Sequence, residues 1–132
     1  MTSRGSKSRI KWEGDSNAII RSWPADVRQD FGLELTRLEN NEEPLDSKPM
    51  GKTLPGVSEL RGEDRDFWYR VLYFFGSGWI YVLHYFTKKT NETSLGDIAI
   101  AKRRLTTVKE RADYRFREEK RNAEGKEKKR IR

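Results

Sequence analysis

The chain has 132 residues, with no cysteine and a single histidine, His84. The absence of cysteine excludes disulfides, cysteine metal ligands and cysteine nucleophiles. One histidine cannot build a histidine cluster, so a zinc site is not expected. We therefore predict neither a metal nor another cofactor.

Long hydrophobic runs are also missing. No run is long enough to span a membrane and the N-terminus lacks a signal-peptide pattern, so we expect a cytoplasmic protein without a membrane partner. Only 34% of the residues are hydrophobic and 37% are charged, which is polar for a globular domain. The apolar residues lie between Ile10 and Val108. They predict one domain at residues 9–117, with a disordered lead-in at 1–8 and a basic, disordered tail at 118–132.

The positive charge is concentrated near the C-terminus. The net charge is +7, and residues 102–132 contain 14 Lys/Arg against 6 Asp/Glu, whereas residues 1–101 contain 14 against 15. A basic segment attracts nucleic acid by neutralising its phosphates. A mixed Lys/Arg/Glu segment is also commonly just a solvated helix. Both interpretations of the tail stay open.

The densest apolar segment is FWYRVLYFFGSGWIYVLHYFTKK, at residues 67–89. Two runs rich in β-branched and aromatic residues flank Gly76-Ser77-Gly78, which predicts a β-hairpin with a short glycine turn. The runs are continuously apolar rather than alternating. We therefore expect both faces of this sheet to be at least partly covered.

The register of this hairpin depends on the length of its turn. A three-residue loop places Arg70 directly opposite His84, with Phe86 and Lys88 on the same face because alternate residues share a side. A two-residue loop places Arg70 opposite Tyr85 instead.

The other elements follow from periodicity and capping signals. The N-terminal part is predicted to contain a strand at Arg9–Glu13, a short helix at Asp15–Trp23 and a second helix that begins at Pro24 and ends within Glu39–Asp46. A turn-rich segment at Ser47–Gly56, a strand at Val57–Arg61 and a charged turn at Gly62–Asp66 follow. The last helix is predicted to begin with Ser94 and Asp97 as a capping box and has an apolar stripe from Ile98 to Ala112. The order β-α-α-β-β-β-α predicts an α+β fold. In this fold an antiparallel sheet packs against two N-terminal helices and one C-terminal helix.

Several segments together carry a resemblance to a known family. They are KPMGKTLPG at 48–56, ELR at 59–61, YRVLYF at 69–74, LHYF at 83–86, KKT at 88–90, and Ile98, Ala101 and Arg104. In this combination the chain, over roughly residues 9–110, resembles the phage-derived, HigB-like branch of the RelE/HigB toxin superfamily. These proteins are the toxins of type II toxin–antitoxin modules.

The resemblance implies a RelE-like fold and a small endoribonuclease that cleaves mRNA, commonly on the ribosome. It also implies neutralisation by a cognate antitoxin, expected to be a helix-turn-helix protein. The chemistry in this family is metal-free: the ribose 2′-OH attacks the adjacent phosphate and leaves a cyclic phosphate and a free 5′-OH. Such a reaction needs stabilisation of the transition-state charge, a base and an acid.

The two strand arginines are candidates for phosphate binding, and each has a structural alternative. Arg70 interrupts an apolar strand, its planar fork suits a phosphate, and its position matches the strand arginine of the family. Its alternative is a buried ion pair with Glu59 or Glu63. Arg61 either binds the same phosphate or closes a surface salt bridge.

His84 and several lysines are the remaining polar candidates. His84 is either an acid or base or a satisfied structural residue. Lys88 and Lys89 either bind phosphates or donate a proton, or else they form an ordinary solvated strand end. Lys52 lies in the loop that faces the substrate in related toxins, and with Lys48 it is a candidate contact to the RNA backbone.

Aromatic side chains are candidates for stacking on a splayed base. Phe86, and less so Trp68 and Tyr85, either stack on RNA or belong to the core. Tyr114 and Phe116 either pack on the helix pair or mark an antitoxin contact. Two further functions stay open: a non-catalytic RNA- or partner-binding protein of the same fold, and a phage-derived interaction protein whose basic tail docks onto an acidic partner.

Overall fold

The computed structural model describes residues 9–76, 78–89, 93–111 and 118–125. The elements are β1 (Ile10–Trp12), α1 (Ser16–Ile20), α2 (Ala25–Glu39), β2 (Ser47–Pro49), a 3₁₀ turn at Gly51–Thr53, β3 (Val57–Glu63), β4 (Trp68–Gly76), β5 (Trp79–Lys88) and α3 (Leu95–Glu110). The predicted α+β class is confirmed.

The five strands form one sheet in the order β1-β5-β4-β3-β2. β2, β3, β4 and β5 pair antiparallel, but β1 pairs parallel with β5. The prediction of a purely antiparallel sheet is therefore wrong at this edge. Two helices follow β1 before the next strand, so no hairpin turn fixes its direction.

The sequence also missed β2, which lies in the segment predicted as turns only. This strand is three residues long, mostly exposed and ends at Pro49. It forms the edge of the sheet, where proline is tolerated because its nitrogen is not needed for pairing. Such a strand shows no alternation of apolar and polar residues that periodicity could detect.

Helices cover both faces of the sheet, as the continuous apolar runs predicted. On one face α1 and α2 pack their apolar stripe against Leu60, Tyr69, Val71, Tyr73, Ile80 and Val82. On the other face α3 packs Ala101, Leu105 and Val108 against Val57, Leu72, Phe74, Tyr81, Leu83 and Phe86. We call the two sides the α2 face and the α3 face.

Ser94 caps the last helix, as predicted from the Ser94–Asp97 pattern. Ser94 precedes α3, and its Oγ accepts a hydrogen bond of 3.1 Å from the backbone N–H of Asp97. This bond satisfies one of the donors that a helix N-terminus leaves open. It also fixes Asp97 in the first turn, where the cross-strand residues described below reach it.

The C-terminal predictions are tested only in part. Residues 118–125 are helical, whereas no regular structure was predicted beyond Arg117. Ala112, Tyr114, Phe116, the lead-in and the rest of the tail lie outside the described residues. In the part of the chain that the structure describes, no helix is long and apolar enough to cross a membrane.

Candidate functional site

Strand pairing gathers most of the predicted site residues on the α3 face. Glu59 lies opposite Leu72, which lies opposite His84, and Arg61 lies opposite Arg70, which lies opposite Phe86. Lys88, opposite Trp68, continues the same face. We call this group the cross-strand site: Glu59, Arg61, Arg70, His84, Phe86 and Lys88.

The predicted register of the hairpin is wrong, although the predicted shared face is correct. Arg70 pairs with Phe86, not with His84 or Tyr85. Gly76 pairs with Trp79, and the register then shifts by one residue between Leu72 and Tyr73. This shift leaves Leu83 as an extra residue on β5, a β-bulge that no turn length alone predicts.

Arg104 holds the bulge from α3. Its Nη1 donates a hydrogen bond of 2.9 Å to the carbonyl oxygen of Leu83, and its Nη2 lies 3.4 Å from Asp15. A backbone carbonyl displaced by a bulge loses its ladder partner. Arg104 therefore stabilises the part of β5 that directs His84 toward α3.

Arg70 is buried and held inside the protein. It is 3% exposed, its Nη1 donates to the carbonyl oxygen of Tyr69 at 2.9 Å, and its Nε lies 3.7 Å from Glu59 Oε1. Its guanidinium also lies over the Trp68 ring, 5.6 Å from the centroid. This placement corresponds to the ion-pair alternative predicted for Arg70, with Glu59 as the partner.

Arg61 shares the same carboxylate from the more exposed side. Its Nε lies 3.7 Å from Glu59 Oε1, and its side chain is 29% exposed. Burial lowers the pKa of Arg70 and the carboxylate of Glu59 opposes that effect, but a guanidinium stays protonated at neutral pH. Two cations therefore converge on one buried carboxylate, with only Arg61 reaching the surface.

His84 and Lys88 converge on a second carboxylate, that of Asp97 at the start of α3. His84 Nε2 lies 2.9 Å from Asp97 Oδ1, and Lys88 Nζ lies 2.9 Å from Asp97 Oδ2. The Ser94 hydroxyl donates to the same Oδ2 at 2.7 Å. Asp97 is a functional candidate that the sequence analysis missed. Its position three residues after Ser94 was accounted for by helix capping, so no second role was considered.

The protonation states of this cluster follow from burial and charge. Burial lowers the pKa of His84 below its usual 6.5 and outweighs the opposing effect of Asp97. For Asp97, burial alone would raise the pKa, but hydrogen bonds from His84, Ser94 and Lys88 hold it below 3.8. At neutral pH a neutral imidazole thus donates Nε2–H to a carboxylate, and Nδ1 is an acceptor without a hydrogen-bond partner among the described residues.

The four predicted lysines lie in different parts of the structure. Lys88 belongs to the cross-strand site, with its Nζ 5.4 Å from the Phe86 centroid. Lys89 instead lies over Phe67 at 5.9 Å and lines a groove of about 190 Å³ with residues 63–68. Lys48 is exposed on β2 opposite Glu59, and Lys52 is exposed on the 3₁₀ turn. These two lie toward the β2 edge of the site.

The candidate stacking residues are more enclosed than an open base platform requires. Phe86 is 7% exposed and belongs to the cluster under α3. Trp68 is half-buried beneath the Arg70 guanidinium, and Tyr85, also half-buried, lies beside the other core cluster. Trp68 is the aromatic of the three that is on the α3 face and still accessible.

Metal binding finds no support in the described residues, where no group of three or more His, Cys, Asp or Glu side chains could hold an ion. The cations and the imidazole of the cross-strand site are paired with Glu59 or with Asp97. The side chains that this face offers for chemistry are guanidinium, ammonium, imidazole and carboxylate groups.

The comparisons with known proteins give the family. The chain belongs to the family described as Phage derived protein Gp49-like (DUF891), whose model matches residues 18–106. That range includes the end of α1, all of α2, the sheet from β2 to β5 and most of α3. Neither the search of curated proteins nor the search of solved structures found a match.

Proposed function

We propose that this protein is the toxin of a type II toxin–antitoxin module, a RelE/HigB-like endoribonuclease that cleaves mRNA on the ribosome without a metal. An adjacent-frame antitoxin would be its neutralising partner. Membership of the phage-derived Gp49-like family supports the class of protein. The cross-strand site supports the chemistry.

The observation that carries the proposal is the meeting of four kinds of group on one face. Arg61 and Lys88 are partly exposed cations, and His84 is an imidazole tied to Asp97. Cleavage of RNA by its own 2′-OH needs a cation at the phosphate and groups that move two protons. These residues supply them within one sheet surface.

Burial assigns the roles. Arg61 contacts the scissile phosphate, and Lys88 donates a proton to the departing 5′ oxygen as the new bond from the 2′ oxygen to phosphorus forms. Arg70 is a positioning residue, because it is only 3% exposed. Two buried acceptors, Glu59 Oε2 and His84 Nδ1, have no hydrogen-bond partner among the described residues. One of these two accepts the 2′-OH proton.

Cleavage by purified protein tests the proposal. Translating ribosomes with mRNA are incubated with the wild type, with Arg61→Ala and with Lys88→Ala, and new 5′ ends are mapped. Loss of one group that stabilises the transition state should slow cleavage by about 10²–10³-fold. Lys102→Ala, an exposed change on α3, should cleave like the wild type. Absence of new ends with the wild type would refute the nuclease.

A second function is favoured by the burial of Arg70. A guanidinium locked against Glu59 is also what a non-catalytic RNA- or partner-binding protein of this fold would contain. That function predicts retained RNA affinity without cleavage products and insensitivity to changes at His84 and Lys88. Binding and cleavage measured on the same preparations separate the two.

A further inference from the structure

A preformed groove lies on the α2 face, away from the cross-strand site. It has a volume of about 530 Å³ and lies between the loop that follows α2 and the ends of β2, β3 and β4. We call it the loop groove, and it is lined by Leu38, Asn41, Glu42, Glu43, Pro44, Leu45, Ser47, Pro49, Gly56, Ser58, Tyr73 and Phe75. Tyr73 belongs to the core cluster under α2, so the groove opens on the face opposite the cross-strand site.

The loop groove exposes large apolar side chains. Leu45 is 80% exposed and Phe75 is 45% exposed. Leu45 also lines a neighbouring groove of about 270 Å³, together with Leu33, which is 60% exposed. Of five exposed large hydrophobic residues in the described part of the chain, three therefore border these adjoining grooves. A cluster of this kind marks an interaction site more often than chance exposure does.

The walls of the loop groove are fixed by hydrogen bonds. Glu34 Oε2 accepts from the backbone N–H of Leu45 at 2.8 Å and of Asp46 at 3.1 Å. The hydroxyls of Ser47 and Tyr73 lie 3.0 Å apart across the floor. Because the loop is tied to α2 and to the sheet, a partner would not have to order it on binding.

The charge of the loop groove selects the partner. Glu42 and Glu43 are its charged lining residues, and both are exposed. This acidic rim stands out in a chain of net charge +7. RNA phosphates would be repelled here, whereas lysine and arginine side chains would be attracted.

We propose that the loop groove docks a basic segment of a partner protein, with an apolar side chain of that segment seated between Leu45 and Phe75. The acidic rim holds the flanking lysines or arginines, and the apolar floor supplies the anchor. This binding does not depend on RNA cleavage. The loop groove is lined by none of the cross-strand residues, although Arg61 borders the neighbouring groove.

Two synthetic peptides of roughly 15 residues, about four helical turns, test this. Both carry leucines at helical spacing, with Lys/Arg between them in one and Glu in the other. Fluorescence anisotropy with the full chain should show binding of the basic peptide, weakened by salt, and none of the acidic peptide. Binding of neither peptide, or of both equally, would overturn the proposal.

Variants locate the binding. The double changes Leu45→Ser with Phe75→Ser and Glu42→Lys with Glu43→Lys should each weaken binding by at least about tenfold. The control is Leu95→Ser, because Leu95 is 84% exposed and lies outside the groove. Unchanged thermal unfolding establishes that the variants fold. Equal binding by the variants and the wild type would contradict the proposal.

Other occupants are separate outcomes. Sedimentation that shows the wild type self-associating, and the Leu45/Phe75 double variant monomeric, would assign the groove to a second copy of this chain. Displacement of the basic peptide by an RNA oligonucleotide would assign it to nucleic acid. Either result would replace the proposed partner.

Discussion

The carboxylate of Asp97 offers the sharpest test of how the site is held together. Asp97→Asn keeps the side-chain shape but removes the charge that His84, Lys88 and Ser94 share. A hydrogen bond to a charged group contributes about 1.5–3 kcal/mol when buried. The Lys88 pair, with side chains 20% and 18% exposed, contributes less than about 1 kcal/mol.

The N-terminal position of Asp97 adds to this loss. An anion in the first turn of a helix stabilises it by about 0.3–1 kcal/mol. The asparagine still accepts one hydrogen bond, which offsets part of the loss from His84. We therefore expect Asp97→Asn to lower the free energy of unfolding by about 2–3 kcal/mol at neutral pH.

Urea unfolding at neutral pH measures this change. The control is Glu110→Gln at the other end of α3, where removing an exposed anion should be neutral or slightly stabilising. A loss below about 0.5 kcal/mol for Asp97→Asn, within the range of ordinary surface substitutions, would refute the shared-carboxylate account.

The same variant changes the pH dependence of stability. In the wild type the pKa of His84 is lowered by burial, so the unfolded state takes up this proton first as pH falls. The contribution of neutral His84 to the free energy of unfolding is complete above pH 6.5 and is lost as the pH falls through the folded-state pKa. The pKa of Asp97 is also lowered, so its contribution is lost only below pH 3.8. Removing the Asp97 charge lowers the His84 pKa further. Urea midpoints between pH 8 and 5 should therefore fall more in Asp97→Asn; a parallel decline would contradict this reasoning.

Two further predictions concern the backbone and the buried arginine. Gly14 has φ +58, and a Cβ there would lie 2.5 Å from the Arg104 guanidinium. Gly14→Ala should therefore lower the thermal stability more than Gly51→Ala, because Gly51 has φ +66 but open space around it. Equal losses in the two variants would contradict a role for Arg104. Arg70→Ala removes one of the two guanidiniums that lie 3.7 Å from Glu59 Oε1. Because Arg61 remains, the change should cost about 1.5–3 kcal/mol in urea unfolding. An Arg70→Ala protein that unfolds at the same urea concentration as the wild type would contradict the buried ion pair with Glu59.

The sequence predicts the elements whose signals are local. The β-hairpin, the apolar stripe of α2 and the Ser94 cap each depend on residues that are near one another in sequence, and the structure contains the antiparallel pairing of β4 with β5, the buried stripe and the cap. The parallel pairing of β1 depends on where two intervening helices return the chain, which no local pattern encodes. β2 is too short and too polar to have a period.

The site was predictable as a face but not as a set of contacts. Alternation along β5 puts His84, Phe86 and Lys88 on one side, and the β-bulge at Leu83 brings that side onto the face of Arg70. Which carboxylate each cation meets depends on the packing of β3 and α3 on that face. For this reason the sequence offered Glu59 and Glu63 equally for Arg70, and it assigned Asp97 to capping alone.

Arg61 and Arg70 lie opposite each other in the sheet but differ in exposure, and this difference separates their roles. A phosphate cannot reach a guanidinium that is 3% exposed without displacing its internal partners, but it can reach Arg61. Both arginines contact the same oxygen of Glu59. Arg70 therefore fixes the carboxylate, and the carboxylate fixes Arg61. An exposed cation that contacts phosphate contributes to the salt dependence of RNA binding, whereas a buried one contributes to stability. Under the proposed function, the unequal exposure of the pair therefore makes Arg61 the residue that we expect to meet the substrate.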